Sequence, residues 1–415
     1  MMKNDIKNNL DNPGQLEKMY RANKPIFKKE FNLVFPEIQT TTTAQIWKER
    51  LNFESEEISW GTNKELIFVI IACFIAGIIA KIPEFTGLDP EYFYPRNIAF
   101  VVFPLLTAYF AWKQNIGTKK LFIVSIAILV SAIYINILPN NNESDSLILA
   151  FIHLPLLLWA VLGYTFVGDK LHNLPKRLEF LRYNGDLVVM TAILLIAGGL
   201  MTAITLGLFE LIDLPIEVFY FKYIAIWGLA SAPIVGTYLV RTNPQLVNKV
   251  SPVIAKVFTP LLLIMLVIYL FAVIFTGKDP YDDREFLLIF NVLLVGVMAI
   301  ILFSIAESSK NSDSKIGSLA LLGLSVVTII VNGIALSAII FRISEWGFTP
   351  NRLAVLGSNF LILINLLSVT FRQFHAINDR NKVEKVENSI ASFLPIYIIW
   401  AILVIFLFPI LFNFE

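Results

Sequence analysis

A seven-residue stretch, Phe93–Ala99 (FYPRNIA), returns twice along this chain, as Phe219–Ala225 (FYFKYIA) and as Phe348–Ala354 (FTPNRLA). Each copy begins with phenylalanine, carries a lysine or arginine a few positions later, and ends in isoleucine or leucine followed by alanine. Each copy also stands where a long apolar run begins, and the copies recur at nearly constant spacing. This pattern favours a fold in which several long apolar segments begin with similar residues.

The composition is typical of integral membrane proteins. Hydrophobic residues make up 56% of the 415 residues, charged residues make up 16%, and the mean hydropathy is +0.70. These values lie outside the range of ordinary soluble domains. Apolar runs about as long as a bilayer core requires recur throughout the chain. The sequence therefore predicts an all-α, polytopic integral membrane helix bundle.

We divide the chain into an N-terminal segment, 1–63, and a transmembrane domain, 64–415. The domain is predicted to contain about eleven transmembrane helices, because a spanning helix needs about 20 predominantly apolar residues. Their approximate bounds are 66–80, 97–112, 121–138, 147–167, 187–209, 219–240, 253–275, 286–306, 316–341, 353–371 and 390–412. The first two segments are short for a full crossing, and a re-entrant pair is the alternative.

The N-terminal segment is polar, mixed in charge and without the apolar core of a cleavable signal peptide. Its apolar minority predicts one or two helices that rest on the membrane surface or against the bundle. A partly disordered tail is the alternative. In either case the segment is too short for us to expect much of a core of its own.

Basic residues orient the chain. Most of the 33 lysines and arginines fall in the N-terminal segment and in one set of alternate loops. The positive-inside rule then places the N-terminus in the cytoplasm and the C-terminus outside. The net charge of +1 gives no reason to expect a nucleic-acid partner. Membrane lipids are the expected partners, and a membrane-protein partner stays open.

On that topology the three copies of the repeated stretch begin the second, sixth and tenth helices, all from the outer face. Four helices per period makes the units parallel rather than inverted. The predicted repeats are 66–167, 187–306 and 316–412, and the third lacks its last helix. Alternatively, aromatic and basic residues recur here only because membrane interfaces favour both.

The basic residues of the repeated stretch, Arg96, Lys222 and Arg352, are candidate contacts for an anion or for lipid headgroups. In one interpretation they snorkel outwards, and Pro95 and Pro350 take first helical positions. In the other, the three cations converge on an outer pocket for an anionic group. A third alternative is pairing with the carboxylates that precede them, Glu91, Glu217 and Glu345.

The outer connection that precedes Arg352 is a further candidate site. It combines Arg342, Glu345 and Trp346 within a few residues. Glu345 can pair with either arginine, and we predict a buried, loop-ordering role for Arg352 rather than a simple interface anchor.

Few polar side chains lie inside the predicted spans. The candidates for a polar core are His153, Asn291, Asn332, Asn359 and Asn365. Ionisable groups within a membrane usually have a function because their desolvation is costly. Asparagines there more often hydrogen-bond one helix to another. The sequence leaves both roles open.

Signatures of enzymes are absent from the sequence. It contains no HExxH, GxSxG or P-loop motif, and its one cysteine, Cys73, lies within an apolar run. We therefore predict no catalytic residues, no metal site and no cofactor, although membrane enzymes can assemble sites from scattered loops.

Three stretches resemble a known family: Lys24–Lys29 (KPIFKK), Phe93–Ala99, and Gly347–Arg352 (GFTPNR). They are similar to a bacterial inner-membrane family known only as domain of unknown function 4153, in its Bacteroidetes form. The resemblance implies a bacterial cytoplasmic membrane. It assigns no chemistry, so no functional residues transfer from the family.

Two classes of function fit these observations. One is a permease or flippase-like carrier of a small or lipidic anion. The other is a non-transporting scaffold or regulator in envelope assembly. A cavity that reaches the middle of the membrane favours the first class. A closed bundle with a large apolar outer patch favours the second.

Overall fold

Nearly all of the residues that the structure describes are helical, and none of them lies in a strand. The structure is a computed structural model that describes residues 2–22, 24–52, 61–141, 143–168, 173–210, 216–244, 246, 259–268, 270, 271, 275, 284–308, 315–376 and 383–414. The chain divides into two compact units, Met1–Trp60 and Gly61–Glu415.

The described residues of the first unit form four helices, where one or two were predicted. They are α1 (Met2–Asn8), α2 (Pro13–Ala22), α3 (Lys24–Ile38) and α4 (Thr42–Asn52). Phe27, Phe31 and Trp47 are buried together in its core, and the rings of Phe27 and Trp47 lie 5.1 Å apart. Large aromatic side chains bury much area each, which is why so short a segment has an apolar core after all.

The second unit contains the apolar helices. Their bounds are α5 (Asn63–Ala80), α6 (Ile82–Thr86), α7 (Pro90–Lys113), α8 (Thr118–Ile137), α9 (Asp145–Val167), α10 (Leu174–Glu210), α11 (Glu217–Phe219), a π-helical turn (Tyr220–Ala225), α12 (Ile226–Thr242), α13 (Thr259–Ile268), α14 (Arg284–Ser308), α15 (Lys315–Trp346), α16 (Pro350–Ala376), α17 (Val383–Phe406) and α18 (Phe408–Leu411).

Local sequence explains where several of these helices begin. Asp89 caps α7 by accepting a hydrogen bond from the backbone N–H of Glu91 at 3.0 Å, and Pro90 takes the first helical position. Ser144 caps α9 in the same way through the N–H of Leu147. Pro350 begins α16, as predicted. The same prediction for Pro95 was wrong, because Pro95 lies inside α7.

Within the described part of the chain, eight helical segments are long and apolar enough to cross a membrane, so this is a multi-pass membrane protein whose apolar surface contacts lipid. They are α5, α8, α9, α10, α11–α12, α15, α16 and α17. Three predicted spans are not among them. The helix α7 is long enough, but Arg96, Asn97 and two internal prolines lower its hydropathy. Both 253–275 and 286–306 lie partly outside the residues whose side chains the structure describes. The count of about eleven spans and the repeats stay predictions.

The bundle has two ends, which we name after one buried residue at each. At the Arg96 end, Lys81 after α5 donates to the carbonyl of Lys222 in the π-helical turn. At the Glu65 end, Gly61 before α5 approaches Thr242 at the end of α12. These contacts mean that α5 runs antiparallel to α12 along its whole length. The structure therefore favours a full crossing over a re-entrant segment for this helix.

The two largest apolar clusters among the described residues of the second unit join five helices each. One joins α5, α7, α9, α10 and α12, and the other joins α13, α14, α15, α16 and α17. The helices α9 and α10 connect the two groups, since both also pack against α17.

Candidate functional site

Arg96, the first of the predicted cations, is buried rather than directed outwards. Its side chain is 1% exposed and donates to the carbonyl oxygens of Tyr92 at 3.1 Å and Pro139 at 2.9 Å. The guanidinium also lies 4.0 Å from the ring centre of Tyr92 and 4.6 Å from that of Phe151. Pro139 follows the C-terminus of α8, where the helix dipole favours a cation. Arg96 thus holds α7 against the end of α8.

Lys222, the second cation, belongs to a three-residue ion network. Its Nζ lies 2.7 Å from Glu84 Oε1, and the other oxygen of Glu84 pairs with Lys81. Lys81 is 2% exposed, lies 4.1 Å from the ring centre of Tyr223, and donates to the carbonyl of Lys222 at 2.8 Å. The partner of Lys222 is therefore Glu84 on α6, not the preceding Glu217. Donation from Lys222 and Lys81 lowers the pKa of the Glu84 carboxyl.

Arg352, the third cation, closes its own loop as predicted, but it is half-exposed rather than buried. It donates to the carbonyl oxygens of Trp346 and Gly347, both at 2.8 Å, and its guanidinium lies 5.8 Å from the ring centre of Trp346. The guanidinium of Arg342 lies 5.6 Å from the same ring. Gly347 has a φ of 76°, which favours glycine. Glu345 is exposed and pairs with neither arginine among the described residues.

The three cations therefore have separate surroundings. No hydrogen bond or ion pair within the described part of the chain joins one of them to another. An anion or a lipid headgroup at any of them stays a prediction.

A buried carboxylate that sequence analysis did not identify lies at the Glu65 end. Glu65 is 2% exposed and accepts from the Tyr109 hydroxyl at 2.5 Å and from Lys113 Nζ at 2.7 Å. These contacts hold the start of α5 against the end of α7. The one available signal was a glutamate directly before an apolar run, which resembles an ordinary flanking charge.

The predicted polar residues of the second core do come together in part. Asn359 on α16 donates to Asn291 Oδ1 on α14 at 2.6 Å. Asn365, further along α16, donates to the Tyr397 hydroxyl on α17 at 3.0 Å. These two contacts are the interhelical hydrogen bonds expected of asparagine in a membrane.

Asn332 differs from its neighbours. It is 0% exposed near the middle of α15, and neither its Oδ1 nor its Nδ2 has a hydrogen-bond partner among the described residues. Asn365, also 0% exposed and near the middle of α16, leaves its Oδ1 without a partner there. A buried polar group without a partner costs about 1–3 kcal/mol. Two neighbouring helices thus place incompletely bonded amides near the middle of the bundle.

Further polar pairs continue from these amides towards the Glu65 end. Ser368 and Ser389 lie 2.8 Å apart, and Ser325 donates to Gln373 at 3.2 Å. Beyond them Arg182 on α10 pairs with the buried carboxylate of Glu387 at 3.2 Å. From Asn359 to Gln373 the buried face of α16 extends roughly 21 Å at 1.5 Å per residue. We name the polar side chains of this row the amide seam: Asn291, Asn332, Asn359, Asn365, Tyr397, Ser368, Ser389, Ser325 and Gln373.

His153 lies outside the amide seam. Its Nδ1 is 2.8 Å from the carbonyl of Leu149 on the same helix, α9. In the described part of the chain, no three histidine, cysteine, aspartate or glutamate residues gather as metal ligands would.

No family model, curated protein or solved structure matches this chain. The role of the amide seam is therefore inferred from its own geometry. The seam combines burial with two incompletely hydrogen-bonded amides near the middle of their helices. Arg96 is also buried, and its Nε has no partner among the described residues, but it lies near the start of α7.

Proposed function

We propose that the protein is a membrane carrier of a small anion, and that the solute crosses along the amide seam between α14, α15, α16 and α17. The observation that carries this proposal is Asn332, a fully buried amide with no described partner. Buried polar groups are normally hydrogen-bonded, and exceptions need a physical reason. Water or a polar solute that visits the seam would complete the missing bonds.

The length of the seam supports the same proposal. Its roughly 21 Å along α16 covers most of a hydrocarbon core of about 30 Å. Polar side chains inside a membrane otherwise concentrate where they line a solute pathway.

The charge at one end of the seam favours an anion. Arg352, at the Arg96 end of α16, donates to neutral carbonyl oxygens, whereas Arg182 at the Glu65 end is paired with the carboxylate of Glu387. Between them the described groups are neutral amides and hydroxyls, which offer N–H and O–H donors to a negative solute. We further propose that the protein lies in a bacterial cytoplasmic membrane with its N-terminus in the cytoplasm. The proposal also includes membership of the family that the sequence resembles and a construction from parallel repeats.

Accessibility of position 332 to water tests the pathway. We would introduce Asn332→Cys into a Cys73→Ser background and treat the purified protein with a small, charged thiosulfonate reagent. Val331→Cys is the matched control, because Val331 is also 0% exposed but packs among apolar residues. We expect labelling at 332 and none at 331. Equal protection of both positions would contradict a hydrated seam.

Transport itself is tested with Asn332→Leu in proteoliposomes, by measuring the flux of chloride, phosphate and acetate. Leucine removes the unsatisfied amide at similar volume, so the thermal midpoint should stay unchanged or rise while flux is lost. If no flux of any of these anions exceeds that of empty vesicles, and position 332 is unreactive, the scaffold or regulator becomes the better description.

A further inference from the structure

A separate cleft lies on the other side of α17, in the outer wall of the bundle. It encloses about 320 Å³. Leu157, Ala160 and Tyr164 of α9 form its floor, Ala127 of α8 forms one wall, and Leu394 and Ile398 of α17 form the other. Its volume falls in the range of small-molecule sites. Nearly all of its lining side chains are apolar, which suits a hydrocarbon chain.

The depth of the cleft matches one leaflet. Along α9 its lining extends from Leu157, near the middle of the helix, to Val167 at the Glu65 end. This length is roughly 15 Å at 1.5 Å per residue. It equals about half of a hydrocarbon core of about 30 Å. A chain that enters from the Glu65 end would therefore reach the middle of the membrane and stop.

The mouth of the cleft is basic. Arg177, at the start of α10, lines it and donates to the carbonyl of Ala391 at 3.1 Å, which fixes the guanidinium at the rim. Lys120 lies 5.3 Å from the ring centre of Tyr164 and donates to the carbonyl of Gly168. No carboxylate is among the described residues that line the cleft. Arginine and lysine beside an apolar slot suit a phosphate attached to an acyl chain.

We propose that this cleft binds one anionic phospholipid from the leaflet at the Glu65 end. One acyl chain lies on α9 between α8 and α17, and the phosphate rests near Arg177 and Lys120. The ligand is selected by its headgroup charge at the mouth and retained by its chain in the slot. This site is independent of the amide seam, because Tyr397 of α17 faces Asn365 while Leu394 and Ile398 line the cleft.

Native mass spectrometry of the full-length protein tests the site. The delipidated protein would be titrated with phosphatidylglycerol and, separately, with phosphatidylethanolamine of the same acyl chains. We expect one tightly bound phosphatidylglycerol, preferred about fivefold for each basic residue that contacts it. Arg177→Gln should remove most of this preference, whereas Arg177→Lys should keep part of it. Lys176→Gln is the matched control, because Lys176 pairs with Glu179 at 2.6 Å and does not line the cleft.

A second pair of variants tests the apolar cleft rather than the basic residues at its mouth. Ala127→Trp should fill the cleft and weaken binding of both lipids, while Leu129→Trp, on an exposed face of the same helix, should change neither. Retention of the phosphatidylglycerol preference in Arg177→Gln, or unchanged binding in Ala127→Trp, would overturn the proposal. Equal affinity of the wild type for both lipids would also overturn it. A variant that loses lipid binding but keeps anion flux, or that loses anion flux but keeps lipid binding, would show that the lipid site and the proposed anion pathway are independent.

Discussion

At the scale of single residues, the arginines of the repeated stretch show how different the surroundings of similar motifs can be. Arg96 is enclosed and bonded to two carbonyl oxygens, while Arg352 is half-exposed and closes a loop. Both are at the same end of the bundle. The energetic consequence of removing each should differ, because a buried acceptor that loses its donor is not rescued by water.

Arg96→Gln is therefore expected to destabilise the protein strongly. It shortens the side chain and leaves the carbonyl of Pro139 without its donor, at a cost of about 2–3 kcal/mol for a hydrogen bond to a charged group. The measurement is the thermal midpoint in detergent. Arg352→Gln is the control and should cost about 1 kcal/mol or less, because its acceptors are reachable by water. Equal midpoints for the two variants would contradict a clamping role for Arg96.

At the scale of elements, the π-helical turn at Tyr220–Ala225 and the short helix α6 depend on each other. The Lys222 carbonyl within this turn accepts from Lys81, and Glu84 of α6 accepts from both lysines. Such turns are rare and occur often at functional sites. Here the network ties the end of α5, α6 and the start of α12 into one unit.

Stability of this unit should depend on pH through Glu84. Since the ion network lowers the folded-state pKa of Glu84, its stabilisation is present above the unfolded pKa and is lost as pH falls through the folded one. We expect the thermal midpoint of the wild type to fall in the acidic range below the ordinary glutamate pKa. Glu84→Gln should lower the midpoint at neutral pH and flatten this acidic decrease. Glu91→Gln, which changes an exposed carboxylate nearby, should leave the pH profile as it is.

The contact between α14 and α16 gives a second prediction at this scale. Asn291→Leu leaves the buried Asn359 amide without its Asn291 acceptor and should cost about 1–3 kcal/mol, while Asn359→Leu leaves only the half-buried Asn291 and should cost less. The double variant removes both amides and should recover most of that loss. A double-mutant cycle on thermal midpoints measures the coupling. Additive losses would show that the 2.6 Å contact between the two amides contributes no net stability.

At the scale of the whole molecule, the two ends of the bundle must face opposite sides of the membrane. Asn141 follows α8 at the Arg96 end, and Lys176 begins α10 at the Glu65 end. The excess of basic residues in alternate loops predicts that the Glu65 end is cytoplasmic.

Cysteine labelling in intact cells tests this orientation. In a Cys73→Ser background, Asn141→Cys should react with an impermeant reagent and Lys176→Cys should react only after lysis. A third position that we would choose from sequence, Asp282, lies outside the described residues. The opposite pattern of labelling would reverse the orientation and, with it, the leaflet from which the proposed lipid enters.

Much of the fold could be predicted from sequence, and much less of the site. Pro350 as a helix start and Asn365 as a buried polar residue were both recognised from local pattern. Glu84 as the partner of Lys222 was not, because those residues are far apart in the chain and meet only through packing. Asn332 was identified as polar within a span, but its lack of partners is a property of the neighbouring helices.

By itself the sequence determined that this chain is a multi-pass helical membrane protein, because length and hydropathy of each segment are local quantities. Only the tertiary structure decided which face of each helix is buried. Phe110 on α7 is fully buried while Phe122 on α8 is 67% exposed. Both phenylalanines are stable where they are, since lipid is as apolar as the core. A helix that is apolar on every face therefore does not reveal how it is rotated about its own axis. That rotation places Asn332, Asn365 and Tyr397 inside the bundle.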